Sequence, residues 1–424
     1  MNYKTFFKDK KIAVVGLGPH GEMVADIKFL LKAGALVSFY DLRSESRIQG
    51  YLNPLLEAGL TDYHLGKVPS DAILESQLIL ISPEISRKSF FLKRARQAGI
   101  PIEYPEIFFL KNAPVVTLIG VMGGSGKSTV THMLYSILKQ SFSEYEDQGL
   151  FYIDPELPHG ALTHFKKIKT GDVVLARITE SMMDEYHEAH ISPHVAVITS
   201  LTASALQGLK KSFAVLEYQT YNNFIVASDA VMDSIRSQSH IGSKAKMLRT
   251  RAENSALVLQ AAELFKVTQE VAERLMSTFT GLKSHQELIK KIEGVEFYND
   301  AASITPEATL FALRRLSINK NTILILGGGY TDYDYRELIK TIPEYVKVLI
   351  LIPGTASLGI RADLEKLDDV KFYQAPTLEE AVILAKGEAR KGDKVLFSPG
   401  CEAVGVHISR RERGEKFVKA VRSL

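Results

Sequence analysis

Short apolar runs alternate with stretches whose apolar residues recur at helical spacing, from one end of the chain to the other. That alternation predicts an α/β protein of parallel sheets and crossover helices, because strands covered on both faces are continuously apolar. Three blocks can be marked out. The first opens with a strand at 11–15, passes through Gly16-Leu17-Gly18-Pro19-His20-Gly21 into a helix ending near Leu31, and continues with strands at 36–40 and 78–81. Residues 101–114 break the pattern and read as a linker. The second block has strands at 115–119, 173–175 and 195–198, then a helical stretch from Arg249 to Leu264. The third has strands at 295–298, 322–326, 346–352 and 394–397.

Composition narrows the class of protein only a little. With 424 residues, 46% of them hydrophobic, the chain can build two or three cores. A formal charge of +3 over 52 basic and 49 acidic side chains gives no reason to expect nucleic acid or a membrane as partner. The single cysteine, Cys401, excludes an intramolecular disulfide and fits a reducing compartment. The first residues are polar, and no apolar run reaches the ~20 residues of a membrane helix, so a soluble cytoplasmic protein is expected.

The most specific chemistry lies at Gly123-Gly124-Ser125-Gly126-Lys127-Ser128-Thr129, between the strand at 115–119 and an amphipathic stretch at 130–138. Glycines let backbone N–H groups approach phosphate oxygens, and the following helix adds a favourable dipole. The lysine ammonium reaches the outer phosphates, and a hydroxyl such as that of Ser128 can hold Mg²⁺. These residues therefore predict binding of a nucleoside triphosphate. Two residues separate Gly123 from Gly126, whereas the usual loop would want glycine at 121, where this chain has valine. An earlier Gly16-x-Gly18-x-x-Gly21 follows a strand, and the next strand ends at Asp41. Alone it reads as a dinucleotide site. Beside a triphosphate loop, a single-nucleotide reading serves better, with Gly16, Leu17 and Gly18 on a diphosphate and Asp41 and Arg43 on a sugar or base.

The short Gly-x-x-Gly-Lys-Ser-Thr form resembles the ATP site of Mur ligases and folylpolyglutamate synthases. Along most of its length the chain resembles the MurD type, the UDP-N-acetylmuramoyl-L-alanine:D-glutamate ligases of peptidoglycan synthesis. The resemblance rests on Gly16-Leu17-Gly18 with Asp41-Leu42-Arg43, Ser82-Pro83-Glu84-Ile85, Glu106-Ile107-Phe108-Phe109, Thr278-Phe279-Thr280-Gly281-Leu282, Asn299-Asp300, Leu326-Gly327-Gly328 and Ser398-Pro399-Gly400-Cys401. It implies three domains: a Rossmann-like UDP-sugar domain over 1–106, a central P-loop ATPase domain with a parallel sheet over 107–282, and a Rossmann-like closing domain over 283–424. It also implies a reaction in which ATP phosphorylates a carboxylate and an amine attacks the acyl phosphate. Carried over residue by residue, the ATP site comprises Gly123 to Thr129 and Asn254. The UDP-sugar site comprises Gly16, Leu17, Gly18, Asp41, Arg43 and Ser82, and Lys127 and Asp300 are the catalytic candidates.

Several family positions are replaced. The metal-binding glutamate of the family's Glu-Leu-Ser-Ser-Phe-Gln matches Arg177, a reversal of charge. Its metal-linked histidine matches Ala205, and its carbamylated lysine falls near Ser212. In the segment Leu248 to Asn254 only the last asparagine is kept, and the lysine of Asp-Ser-Lys-Ala-Thr-Asn is lost after Asp300. The serine and phenylalanine that hold D-glutamate match Ala403 and Arg410. Glu180, Asp184 and Asp172 are candidate replacements for the metal ligand, and Lys211 for the lysine. Two functions stay open: a ligase acting on UDP-N-acetylmuramoyl-L-alanine, or a related UDP-sugar, and an amino acid; or a nucleotide-binding pseudoenzyme with a protein partner. A nicotinamide dehydrogenase would leave the P-loop unexplained.

Three other features have plainer readings. His187, His190 and His194 have the spacing of one helix face, but Pro193 interrupts it, and surface histidines are expected rather than zinc ligands. Cys401 reads as a small packed residue. The basic run Arg410, Arg411, Arg413, Lys416, Lys419 and Arg422 reads as a solvated helix face.

Overall fold

The computed structural model describes all residues except 1, 19–20, 68–70, 84, 86–88, 125, 143–147, 156, 158, 200–214, 217, 221, 238–244, 252, 278–280, 330–332, 402 and 404–409. The chain divides into two compact units, Met1–Phe279 and Thr280–Leu424. The first unit holds two parallel sheets and the second holds one mixed sheet.

The first sheet runs β3-β2-β1-β4-β5, with β1 Lys11–Val15, β2 Leu36–Asp41, β3 Asp62–Leu65, β4 Leu78–Ile81 and β5 Ile102–Glu103. Strands β1 and β4 are buried almost throughout, which accounts for their unbroken apolar runs. The chain order reverses beside β1, so the loop after β1 and Ser82 after β4 flank one crevice at the carboxyl ends of the strands. Ser82 N donates to Val15 O (3.0 Å) across it.

The second sheet runs β11-β10-β9-β6-β8-β7: β6 Thr117–Met122, β7 Leu150–Ile153, β8 Val173–Arg177, β9 Val195–Ile198, β10 Phe224–Ser228 and β11 Lys246–Thr250. Strand β6 is central, between β8 and β9. The helix Lys127–Phe142 follows directly, packing Val130, Leu134, Ile137 and Leu138 onto the sheet.

Two sequence expectations are corrected in this unit. Residues 101–114 do not form a linker. They form β5 and the helix Pro105–Asn112, in which Pro105 occupies the first turn and Ile107, Phe108 and Phe109 are buried. Phe109 meets Phe165 at 4.9 Å between centroids, and Phe7, Phe29 and Phe108 complete one aromatic cluster with it. The cluster belongs to a core shared by both sheets, so no exposed linker separates them. The helical stretch expected from Arg249 begins only at Asn254, because residues 246–250 extend the sheet as β11, paired in register with β10.

In the second unit the order is β12-β13-β17-β14-β15-β16: β12 Glu287–Ile292, β13 Val295–Asn299, β14 Thr322–Leu326, β15 Val346–Leu351, β16 Lys371–Gln374 and β17 Lys394–Phe397. Only β12 is antiparallel, hairpinned to β13. Its alternating, half-exposed pattern hid it among polar loop residues in the sequence. Gly354, at φ 155°, faces Gly328 so closely that a Cβ would lie 1.6 Å from its carbonyl oxygen. The turns after β14 and β15 are thus pressed together.

The basic carboxy-terminal run is only partly a solvated face. Arg413 is wholly buried and donates to Cys401 O and Ala301 O, both at 3.0 Å. Cys401 is buried, as expected for a packed residue.

Candidate active site

The phosphate loop leaves the carboxyl end of β6, where a parallel sheet and a helix N-terminus converge. Gly123 and Gly126 have φ of 121° and 87°, which only glycine adopts without strain. A Cβ on Gly126 would lie 2.6 Å from Asn254 Oδ1, so the loop is pressed against the first residue of the helix Asn254–Glu263. Lys127 Nζ donates to Gly123 O (2.8 Å) and to Gly124 O, closing the loop around its own ammonium group. Thr131 Oγ1 donates to Lys127 O (2.7 Å), fixing the first turn. Ser128 and Thr129 lie in that turn, half-buried, while Ser125 is outside the described residues. Structure therefore brings Gly123, Gly124, Gly126, Lys127, Ser128, Thr129 and Asn254 together.

The strands flanking β6 furnish the rim. Thr199 N donates to Met122 O (2.9 Å) just beyond β9. On the other side Arg177 ends β8 in register with Val121, and Ile178 N donates to Val121 O (2.9 Å). Arg177 Nε donates to both oxygens of Asp154 at 2.9 Å, and the two side chains are only 5% and 4% exposed. Asp154 lies just past β7 and also accepts from Tyr152 O–H (2.9 Å). Sequence reasoning saw the charge reversal at 177 but not its partner, because a separation of 23 positions gives no signal.

These residues do not fit a metal centre built from protein carboxylates. Among the described residues no group of three His, Cys, Asp or Glu side chains could hold a metal. Glu180 is exposed at the first turn of the helix Glu180–Glu188, as is Asp184 further along it. Asp172 sits at the opposite end of β8, accepting from Gly149 N (2.8 Å) and Lys169 N (2.7 Å). Lys211, Ala205 and Ser212 lie outside the described residues. The three histidines do not share a helix face: His187 and His190 pack on Tyr218, while His194 Nδ1 accepts from Leu118 N (2.9 Å).

At the other crevice, Asp41 Oδ2 accepts from Leu17 N (3.1 Å), and Arg43 donates to both Asp41 oxygens (2.9 and 2.7 Å). Burial would raise the Asp41 carboxyl, but Arg43 and the backbone donors hold it below its usual range. Gly18, at φ 82°, is covered by Glu22, whose Oε2 would lie 1.9 Å from a Cβ placed there. Gly16, Leu17, Gly18, Asp41, Arg43 and Ser82 thus line one crevice, with a carboxylate over the glycine loop that the sequence pattern did not reveal.

Between the two crevices lies a small cavity of about 10 Å³, room for roughly one water, walled by Glu22, Asp26, Glu106 and Asp154. Asp26 Oδ1 accepts from Leu162 N (2.8 Å), and Glu106 Oε2 is buried with no hydrogen-bond partner among the described residues. Burial pushes the Glu106 carboxyl up to about 7, reinforced by the Asp154 charge. The folded state therefore holds this proton where an unfolded chain has released it, and stability falls as pH rises from about 4.5 through 7. Glu106→Gln is expected to remove a loss of about 3 kcal/mol from that window. Thermal melts from pH 4 to 9 check it, with the variant gaining on the parent only at the alkaline end.

Asp300, in the second unit, follows β13. Its Oδ2 accepts from Ser398 Oγ (2.7 Å) and its Oδ1 from Gln286 N (3.1 Å). Burial pushes its carboxyl up to about 7, against the pull of those donors.

A glycine-rich strand-loop-helix turn beside an α/β crevice is found in an α/β protein of Mur-ligase architecture. The UDP-N-acetylmuramate–alanine ligase MurC of Thermotoga maritima matches it with a TM-score of 0.63 at 16% identity, over 97% of this chain and 99% of that one. Residues 10–103 match the family model "Mur ligase MurD-like, N-terminal domain". A UDP-N-acetylmuramoylalanine–D-glutamate ligase of Bdellovibrio bacteriovorus is 30% identical over 99% of both chains, and one of a Roseiflexus species is 27% identical over 98% of both. The chain belongs to the MurD-type Mur ligase family.

Proposed function

We propose that this chain is an ATP-dependent carboxylate–amine ligase of peptidoglycan precursor synthesis, acting on UDP-N-acetylmuramoyl-L-alanine or a closely related UDP-sugar and an amino acid. The observation that carries this reading is the phosphate loop, closed on Lys127 and pressed against Asn254 among the described residues, within a chain that matches MurD-type ligases over its whole length. Gly123 to Thr129 would receive the ATP phosphates, with the Lys127 ammonium exchanging loop carbonyls for phosphate oxygens. Ser128 offers one oxygen to Mg²⁺ arriving with the nucleotide. Gly16, Leu17, Gly18, Asp41, Arg43 and Ser82 would hold the UDP-sugar, and Asp300 is the catalytic candidate of the second unit.

Phosphate release tests the reading. It is expected only when ATP, the UDP-sugar and one amine from a broad amino-acid panel are all present. A specific observation favours a second reading: the buried Arg177–Asp154 pair stands where the family has a metal-binding glutamate. A nucleotide-binding pseudoenzyme would bind ATP and release no phosphate with any amine.

Glu22 bears on the other substrate. A carboxylate over Gly18 opposes a diphosphate at the same helix N-terminus, so Glu22→Gln is expected to tighten UDP-sugar binding by about fivefold to tenfold. Calorimetry checks this, and an unchanged affinity would place the diphosphate elsewhere.

A further inference from the structure

We propose that Glu22, Asp26, Glu106 and Asp154 form a proton-binding site coupled to the first glycine crevice, so that an anionic ligand settling over Gly18 is accompanied by proton uptake at Glu106. The inference rests on the reading of that crevice as the UDP-sugar site and adds how its charge is balanced.

Geometry carries it. The four side chains wall one cavity, with room for roughly one water, and among its described lining residues there is no lysine or arginine. Glu22 belongs to both places: it lines this cavity, and its Oε2 would lie 1.9 Å from a Cβ on Gly18. Asp26 follows one helical turn later, with Oδ1 accepting from Leu162 N (2.8 Å). Asp154 accepts from Arg177 and from Tyr152 O–H. Glu106 is the member left open, since its Oε2 is buried with no hydrogen-bond partner among the described residues. Protonated, this carboxyl has a donor to offer a neighbouring carboxylate or a water in the cavity. Ionised, it only adds a like charge to the group.

Two further titratable groups face it. His159 is an exposed lining residue, and the Tyr186 hydroxyl is pushed up by burial and by the Glu106 charge. Burial holds Glu106 at about 7 and raises Asp26 well above its ordinary range, with each carboxylate near the other, so the proton count belongs to the cluster. Negative charge arriving over Gly18 raises these carboxyls further. The complex then holds more protons than the free protein, and the difference is largest between about pH 7 and 8.

The experiment is calorimetry of the full-length protein with UDP-N-acetylmuramoyl-L-alanine in two buffers of different ionisation enthalpy, HEPES and Tris. Neither the diphosphate diester nor the carboxylate of this probe titrates near neutrality, so the buffer difference counts protons taken by the protein. Uptake of about half a proton per ligand is expected near pH 7.5, with affinity falling about threefold per pH unit above that. Glu106→Gln removes the titrating carboxyl and the charge that raises Asp26, so both effects are expected to disappear. The parent's two-buffer and pH series stand on their own should that variant fail to fold. Binding with equal enthalpy in the two buffers and a flat pH profile overturns the inference and leaves the sugar crevice standing. Uptake undiminished in a folded Glu106→Gln also overturns it, by placing the proton elsewhere. No binding at any pH overturns the UDP-sugar reading and this inference with it.

Discussion

Lys127→Ala weakens ATP binding by about a hundredfold while leaving the fold intact. The side chain is half-buried and donates to two carbonyls of its own loop, Gly123 O and Gly124 O. Removing it costs the protein little, since water can satisfy carbonyls at a half-open rim. The nucleotide loses a charge-assisted contact to phosphate, about 1.5–3 kcal/mol, which is roughly tenfold to a hundred and fifty-fold in affinity. Glycines 123 and 126 still shape the cradle and the helix Lys127–Phe142 still aims its N-terminus at it, so residual weak binding is expected. Calorimetric titration with ATP, with circular dichroism melts of both proteins, separates the two effects. Unchanged affinity in a folded variant would show that the loop does not carry the nucleotide.

The second large effect is on stability. Arg177→Ala leaves the Asp154 carboxylate buried without its cation, and the unfolding free energy is expected to fall by about 3–5 kcal/mol. Asp154→Ala acts from the other side and strands the guanidinium, with a loss of similar size. Replacing both at once, as Arg177→Met with Asp154→Leu, removes two desolvation penalties together with the attraction that offset them. That double variant is expected to recover most of the loss. Chemical denaturation of the parent, Arg177→Met, Asp154→Leu and the double variant forms a double-mutant cycle. Additive losses in the double variant would mean that the two side chains stabilise the fold independently.

Much of this molecule is legible in its sequence, and the reasons are physical. Strands such as β1, β4 and β14 are covered on both faces, so their apolar runs announce them. The phosphate loop announces itself because its chemistry needs glycine, lysine and a hydroxyl at fixed offsets along one local segment. What the sequence hides are pairings across distance. Arg413 looks like one more basic residue of a helix face until the fold folds Cys401 and Ala301 over it. Glu22 looks like a helix-start acid until it is found covering Gly18. Residues 101–114 look broken because three prolines, Pro101, Pro105 and Pro114, interrupt the period, although Phe108 and Phe109 anchor them in the shared core. Arg177 was visible as a reversal of charge, but only Asp154 shows that the reversal is accommodated.

A tension remains between the two crevices. The ATP side keeps every group that its chemistry asks of the loop itself, whereas the UDP-sugar side presents the Glu22 carboxylate at its anion-binding turn and commits Asp41 to Leu17 N and Arg43. A ligase needs both crevices filled at once. Glu22 lies on a short turn before the helix Val24–Lys32, where one rotamer change would clear Gly18.

The most direct measurement is calorimetry of the full-length protein with ATP and, separately, with UDP-N-acetylmuramoyl-L-alanine. A MurD-type ligase is predicted to bind each at a single site, with ATP binding weakened about a hundredfold in Lys127→Ala and UDP-sugar binding lost when Asp41 is replaced by alanine. Binding of neither ligand would contradict the account, leaving a ligase fold without ligase substrates.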